Sequence, residues 1–198
     1  MSSETELFTI EGKIPKGFIV KKSDIEGYGV FSENSYKEGD FLYEYRYQIV
    51  DQKLITDRYI LKLEDHEGNV CSYFNYKDIH PGPITEDLMA VYDFDGFINH
   101  KCGSESNAYD VRNQDDPTKY KMYASRDIEA GEELSCNYLN LYYGLETKHS
   151  LMKCLCDSKI CYGELYGFRF LELEEKVKLL KYVDKIYFKH DPTLLQYC

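Results

Sequence analysis

Short apolar segments alternate with turns along most of the chain. Segments of strand-like length and composition occur at residues 18–20, 27–31, 41–50, 59–63, 70–74 and 120–125. They are rich in β-branched and aromatic residues, which favour the pleated, half-buried surface of a sheet. Residues 67–69 (Glu-Gly-Asn) are typical of a hairpin turn, residues 80–83 (His-Pro-Gly-Pro) interrupt regular structure, and residues 129–132 predict a turn before Leu134. The pattern predicts a mostly β fold.

Helical spacing stands out near the C terminus. Apolar side chains recur every three or four residues at Leu173, Val177, Leu180, Val183 and Tyr187. This segment begins with Glu residues and ends with Lys residues, as the helix dipole favours. We therefore predict one helix between residues 172 and 187. The sequence contains no internal repeat, linker or low-complexity segment, so we expect a single folding unit.

The composition indicates a globular chain that can build a hydrophobic core. Apolar residues make up 43% and aromatic residues 15% of the 198 positions, which excludes a disordered or fibrous chain. Tyrosine is frequent, with 20 residues against 10 Phe and no Trp. No apolar run approaches the roughly 18 residues of a membrane span, and the first residues do not resemble a secretory signal. We expect a nuclear or cytoplasmic protein that does not bind a membrane.

The charge is unevenly distributed. The net charge is −11, but residues 162–198 hold six acidic and six basic side chains, so the excess belongs to residues 1–161. An acidic surface disfavours direct binding to nucleic acid and mildly favours basic protein partners.

Several common chemistries are missing from the sequence. It has no phosphate-binding loop, no dinucleotide-binding fingerprint and no nucleophile elbow. We interpret His66, His149 and His190 as surface residues, and Cys71 and Cys198 as ordinary thiols.

Three closely spaced cysteines predict a metal site. Cys154, Cys156 and Cys161 form a C-x-C-x4-C pattern, whose thiolates can converge on one zinc ion. In a reducing compartment, such a cluster indicates metal binding more than disulfides. A structural zinc ion takes four ligands, and Cys102 is the best candidate for the fourth.

Five motifs follow one another along the chain. They are Gly27-Tyr28-Gly29-Val30-Phe31, then Lys37-Glu38-Gly39-Asp40 leading to Glu44-Tyr45, then Phe97-Ile98-Asn99-His100-Lys101-Cys102, then residues 126–138 ending in Asn137-Tyr138, and then the C-x-C-x4-C pattern. In this order they resemble the SET-domain lysine methyltransferases that have a post-SET zinc loop. The match covers about residues 16–170. It implies small curved β-sheets in which the segment near Asn99 threads against the segment ending at Tyr138 as a pseudoknot.

The resemblance also implies domain boundaries and residue roles. The expected units are an N-terminal extension at 1–15, a SET domain at 16–142, a post-SET zinc loop at 150–170 and a C-terminal helix at 171–198. The implied cofactor-binding residues are Gly27, Tyr28, Gly29, Asn99, His100 and Tyr138. The implied catalytic residues are Tyr138 and Tyr45, the substrate channel contains Tyr45 and Cys136, and the zinc ligands are Cys102, Cys154, Cys156 and Cys161.

The implied activity is methyl transfer from S-adenosylmethionine to the ε-amine of a lysine in a histone tail or another basic protein, as in a chromatin regulator. A lysine ammonium must first lose a proton, and a desolvated aromatic channel lowers its pKa. Cys136 stands where the family usually has Phe or Tyr, so we expect room for two or three methyl groups. Residues 46–48 and 101–107 depart from the family pattern. Two alternatives stay open: a catalytically silent module that binds peptides, and methylation of a non-protein amine.

Overall fold

The computed structural model describes residues 14–51, 73–75, 88–92, 94–113, 115–116, 119–141, 143–144, 152–183, 185 and 187–198. The predicted strand at 59–63, the hairpin turn at 67–69 and the break at 80–83 lie outside the described residues, as do His66, Cys71, His149 and most of the predicted N-terminal extension. His190 is exposed, as predicted, and Cys198 is also exposed.

The described residues form a mostly β fold, as predicted. The strands are β1 (Phe18–Lys22), β2 (Tyr28–Ser32), β3 (Phe41–Asp51), β4 (Tyr73–Asn75), β5 (Leu88–Tyr92), β6 (Asn99–His100), β7 (Ala108–Arg112), β8 (Lys119–Ala124), β9 (Ser135–Cys136), β10 (Met152–Lys153) and β11 (Glu164–Leu165). The predicted strands at 18–20, 27–31, 41–50 and 120–125 are confirmed. The one at 70–74 is confirmed where it overlaps β4.

Within the described residues, the strands form three sheets. β1 pairs with β2, β10 pairs with β11, and the remaining strands form one sheet in the order β4-β5-β3-β8-β7-β9-β6. The β3–β8 register shifts between Phe41 and Tyr43. This irregularity lets the consecutive residues Leu42 and Tyr43 both turn inward, after which Tyr45 is buried and Glu44 and Arg46 are exposed.

Two short parallel pairings create the crossing that positions the site. Asn99 and His100 of β6 pair with Ser135 and Cys136 of β9, and Cys136 also pairs with Ala108 of β7. β9 therefore lies between two segments that are distant from it in sequence. The segment near Asn99 meets the segment ending at Tyr138, as the resemblance implies.

Two hydrophobic clusters hold the described residues together. The first lies between the β1–β2 pair and the large sheet, and includes Val30, Met122 and Leu134. The second joins the cysteine-rich segment to the C-terminal segment. Its buried members are Cys102, Leu139, Cys154, Cys156, Leu165, Phe168, Leu179, Leu180, Tyr187 and Leu194.

The C-terminal helix is shorter than predicted. Helix α1 spans Leu173–Leu179, and Tyr187 lies in a separate helix, α2 (Tyr187–His190). Residues 181–183 form a turn between them. This turn allows the Tyr182 hydroxyl to donate to the carbonyl of Ser125 at 3.3 Å while Tyr187 still packs against Phe168. No helix within the described part of the chain is both long and apolar enough to cross a bilayer.

Candidate functional site

Asn99 ties the turn between β1 and β2 to the end of the large sheet. Its Nδ2 lies 3.2 Å from the carbonyl of Glu26, 3.0 Å from that of Tyr28 and 2.7 Å from Oε1 of Glu133. Ser23 Oγ donates to the same Glu133 carboxylate at 2.8 Å. The side chains of Asn99 and Glu133 thus fix the backbone of residues 26–29 against β6.

Position 29 requires glycine because the side chains of Glu133 and Asn99 leave no room for a Cβ atom. A Cβ at this position would collide with Glu133 Oε1 and come within 3.2 Å of Asn99 Nδ2. Gly27 has a left-handed backbone with φ of +51°, a conformation that glycine adopts without strain. The predicted cofactor residues Gly27, Tyr28, Gly29 and Asn99 are therefore adjacent in space.

His100 and Tyr138 are held together by hydrogen bonds. The backbone N–H of Tyr138 donates to Nδ1 of His100 at 3.0 Å, and the Tyr138 hydroxyl donates to the carbonyl of Ile98 at 2.7 Å. Burial raises the pKa of Tyr138 and lowers that of His100 to about 4. Both side chains are therefore neutral near pH 7.

A buried group of tyrosines lies beside these residues. The rings of Tyr45 and Tyr120 stack with centroids 5.4 Å apart, and Tyr43 lies 6.2 Å from Tyr45. Two carboxylates face the group: Tyr43 donates to Asp95 at 2.6 Å and Tyr45 donates to Asp110 at 3.0 Å. We call these five residues the tyrosine pocket.

Cys136 lies at the inner wall of the tyrosine pocket. Its thiol is buried and lies 3.7 Å from the sulfur of Met122. Burial and the nearby carboxylates of Asp110 and Asp95 raise its pKa well above the ordinary thiol value. Cys136 is thus a neutral, small side chain at neutral pH, two residues before Tyr138.

The sulfur-rich segment forms a compact donor group. Ligand atoms of His100, Cys102, Cys154 and Cys156 all lie within 4.8 Å of one another. Such a set of soft thiols with an imidazole suits zinc. Sequence analysis placed Cys161 in this set, and the structure shows it exposed and just outside the tight group.

The protonation of His100 bears on which residue is the fourth ligand. Its Nδ1 accepts the N–H of Tyr138, so the single proton of the neutral ring lies on Nε2. Nε2 is 3.1 Å from Cys102 Sγ and therefore donates to this sulfur. Cys161 Sγ accepts the backbone N–H of Gly163 at 3.4 Å and lies close enough to Cys154 to raise the pKa of that thiol, which leaves it within reach of the group.

The thiols of the donor group differ in acidity. Burial raises the pKa of Cys154 to about 12, whereas hydrogen bonds with Ser158 overcome the effect of burial at Cys156 and lower its pKa to about 6. The N–H of Tyr162 also points at Cys102 Sγ at 3.3 Å. The group therefore contains one thiol that ionises readily and backbone donors that stabilise sulfur ligands.

Sequence reasoning missed four side chains that shape the site: Ser23, Asp95, Asp110 and Glu133. Glu133 belongs to the Gly131-Glu132-Glu133 turn, and its position in this motif was a signal that could have been used. Nothing in the local sequence marks Asp110, because its place beside Tyr45 depends on the pairing of β7 with β8.

Comparison with known proteins finds similar sequences among curated proteins. A relative from Candida glabrata named "Histone-lysine N-methyltransferase, H3 lysine-36 specific" is 30% identical over 150 residues, which is 75% of this chain and 19% of that protein. The Saccharomyces cerevisiae protein of the same name is 27% identical over 148 residues, 74% of this chain and 19% of its own length. The chain thus spans about one fifth of these curated relatives.

A solved structure from Plasmodium falciparum, described as a candidate histone methyltransferase, covers 63% of this chain and 95% of its own, with 19% identity and a TM-score of 0.41. The model of the SET domain family matches residues 27–139, more than half of the sequence. These residues include β2, the β6–β9 crossing and the tyrosine pocket. By this match, the chain belongs to the SET domain family.

Proposed function

We propose that this chain transfers a methyl group from S-adenosylmethionine to the ε-amine of a lysine in a basic protein. The observation that supports this most is the β6–β9 crossing, which places Asn99 and His100 against Cys136 and Tyr138, at the inner end of the tyrosine pocket. The relatives named as H3 lysine-36-specific enzymes make histone H3 the first substrate to test, and a histone substrate implies a nuclear location.

The residues near Asn99 fit the cofactor. Gly27 is exposed and has open space where a side chain would stand, so a ligand can reach its backbone, and the Asn99 amide and Glu133 carboxylate provide polar partners for an amino acid group. When bound, the cofactor supplies a methyl group on a positively charged sulfur. The nearby carboxylate of Glu133 and the neutral ring of His100 suit such a cation, since neither adds positive charge to the site.

The tyrosine pocket prepares the substrate amine. A lysine ammonium has an ordinary pKa near 10.4, and only its neutral form has a lone pair. Stacked rings exclude water and disfavour the charged form, while hydroxyls at Tyr45 and Tyr138 can orient the nitrogen. Alignment of nitrogen, methyl and sulfur within such a site lowers the barrier by several kcal/mol.

A structural zinc ion would complete the site. We assign Cys102, Cys154, Cys156 and Cys161 as its ligands, because the Nε2 proton of His100 occupies the position through which that ring would bind the metal. His100 then donates to the Cys102 ligand and orients it. This arrangement links the zinc site directly to the backbone of Tyr138.

The side chain at position 136 limits how many methyl groups the pocket accepts. Cys136 is small and carries no aromatic hydroxyl that could hold a water molecule beside the amine. We therefore expect products with two or three methyl groups. Mass spectra of a substrate peptide that stop at the monomethyl form under excess cofactor would contradict this expectation.

The activity is tested with labelled S-adenosylmethionine, histone H3 and a set of other basic proteins. Wild-type protein is compared with Tyr138→Phe and with Tyr197→Phe, whose side chain is exposed in the C-terminal segment. We expect Tyr138→Phe to lose about 100-fold in rate, the effect of misplacing a reacting group. Tyr197→Phe should keep the full rate.

The outcomes separate the alternatives. Equal rates for wild type and Tyr138→Phe would contradict the role of Tyr138. Peptide binding without cofactor binding, measured by calorimetry, would favour the silent binding module. Label in a small amine, with all proteins left unlabelled, would favour the non-protein substrate.

A further inference from the structure

An open cavity lies between β7 and the turn that follows α1. Its volume is about 270 Å³, and its lining includes Asp110 and Arg112 from β7 and Lys181, Tyr182 and Lys185 from the C-terminal segment. The cavity is wide enough for an aliphatic side chain with a terminal amine. It therefore offers a route from solvent towards the large sheet.

Asp110 belongs both to the lining of this cavity and to the tyrosine pocket. It lines the cavity on one side and accepts the hydrogen bond of the Tyr45 hydroxyl, 3.0 Å away, on the other. Its charge also acts on Tyr43 and Cys136 and raises the pKa of both. Of the residues that line the cavity, Asp110 is the one that also belongs to the tyrosine pocket.

We infer that Asp110 accepts the proton that the substrate lysine loses before methyl transfer. The inference rests on the proposed function and adds a catalytic residue to it. A carboxylate at the entrance first attracts the ammonium group as a cation. In a partly desolvated site, transfer of the proton then turns a pair of opposite charges into two neutral groups, which a low-dielectric surrounding favours.

The step balances in atoms and charge. One N–H bond of the ammonium breaks and an O–H bond forms on Asp110, leaving a neutral amine and a neutral carboxylic acid. The electron pair left on nitrogen forms the new N–CH3 bond, while the pair of the broken S–CH3 bond stays with sulfur. Asp110 afterwards releases its proton to water in the open cavity.

The surroundings of Asp110 bring the pKa of its carboxyl group close to neutral pH. Burial raises the pKa of Asp110 to about 7, against the opposing effect of the Tyr45 hydrogen bond. A base of this strength holds protons far better than an ordinary aspartate, and its charged form is still populated at pH 7.5.

The titratable and charged side chains that face Asp110 come from every surrounding element: Tyr43 and Tyr45 of β3, Tyr120 of β8, Cys136 of β9, Asp95 before β6, Arg112 of β7, and Lys181 and Lys185 beyond α1. Two of the three cations are engaged elsewhere, since Lys181 pairs with Glu38 at 3.5 Å and Arg112 lies over the ring of Tyr120.

The test measures methylation rate against pH for wild type, Asp110→Asn and the matched control Asp115→Asn, whose carboxylate is exposed on the loop after β7. The substrate is the protein that the activity assay identifies, starting with histone H3. We expect Asp110→Asn to lose about 100-fold at pH 7.5. Its rate should rise tenfold per pH unit towards pH 10, where lysine loses its proton unaided, while the wild-type rate levels off above pH 7.

A second measurement needs no turnover. With aspartate labelled at its carboxyl carbon, NMR should show a resonance that titrates near pH 7 and is missing in Asp110→Asn. A midpoint below about 5 would overturn the inference, because the carboxylate would then be too weak a base.

The two proposals fail in different ways. Parallel pH–rate profiles for wild type and Asp110→Asn, with both active, would overturn the role of Asp110 and leave lysine methylation intact. A wild-type chain whose Asp110 titrates near pH 7 but which methylates no protein would overturn the proposed function, and the proton-transfer step with it. Loss of rate in Asp115→Asn equal to that in Asp110→Asn would also overturn the inference, since it would show a general effect of charge.

Discussion

The raised pKa of Asp110 serves the proposed proton transfer but lowers the stability of the fold at neutral pH. Burial raises the pKa of this carboxyl to about 7, whereas an aspartate in an unfolded chain titrates near 4. Because the folded-state pKa is the higher one, the folded chain binds the proton more tightly. This contribution to stability is fully present below about pH 4 and is lost as the pH rises through about 7.

We therefore expect Asp110→Asn to raise the free energy of unfolding at pH 8 by up to about 4 kcal/mol, since the pKa difference is about three units and one unit corresponds to about 1.4 kcal/mol. At pH 4 the substitution should have little effect. Urea unfolding at pH 4, 6 and 8 measures the difference, with Asp115→Asn as the control. A gain of the same size at all three pH values would show that the carboxyl charge is not its cause.

The close approach at Gly29 gives a second prediction. A methyl group there would collide with the Glu133 carboxylate, so Gly29→Ala should destabilise the protein by about 1–3 kcal/mol. Glu133→Ala removes the collision together with the hydrogen bonds from Ser23 and Asn99. The double variant should therefore be more stable than the sum of the two single effects predicts. Additive effects in thermal unfolding would contradict the contact.

At the scale of single residues, the sequence identifies site residues that belong to motifs. It misses site residues that are brought into place by the pairing of strands. Asn99, His100, Cys136 and Tyr138 are adjacent in space because two short motifs form parallel strands. Asp110 reaches Tyr45 across the intervening strand β8, a relation that no local pattern contains. Cys161 shows a further limit, since spacing cannot tell which of several nearby donors completes a metal site.

Among the elements, helix α1 offers a matched pair of leucines. Leu179 is 3% exposed and packs in the second hydrophobic cluster, while Leu173 at the start of the same helix is 50% exposed. We expect Leu179→Ala to lower the free energy of unfolding by about 2–4 kcal/mol and Leu173→Ala by well under 1 kcal/mol. Urea unfolding of both variants checks this, and equal losses would mean that helix propensity outweighs packing.

The elements also show why the strands were easier to predict than the C-terminal helix. In β3, alternation holds from Tyr43 to Arg46 because the sheet buries one face. In the C-terminal segment, the period of 3.6 continues to Tyr187, yet the chain turns at residues 181–183. The apolar side chains there pack against two parts of the molecule: the second cluster and the ring of Tyr109, whose centroid lies 4.9 Å from that of Tyr182. The spacing of apolar residues along the chain does not predict such contacts with distant segments.

For the molecule as a whole, the fold class follows from local patterns and the topology does not. The density of short strands predicts a mostly β chain. The crossing of β6 and β9 joins segments about 35 residues apart through two residue pairs, too few to leave a signature in composition or periodicity. It could be expected only from the resemblance to a family. The domain boundaries that the resemblance implies stay a prediction.

The proposed zinc ion would act on the whole molecule, because its ligands join the large sheet to the second hydrophobic cluster. Cys102 follows β6, whereas Cys154 and Cys156 follow β10, and all three are buried with Leu139 and Phe168. Removal of the ion should therefore loosen the contact between these parts of the molecule.

We expect atomic emission to find about one zinc ion per chain. When a chelator removes the zinc, the melting temperature should fall by at least about 10 °C. Cys156→Ser and Cys161→Ser should each lose most of the metal, whereas Cys198→Ser, at an exposed thiol, should keep it. Full retention by Cys161→Ser would instead assign the fourth position to His100, and full retention by Cys156→Ser would exclude this zinc site.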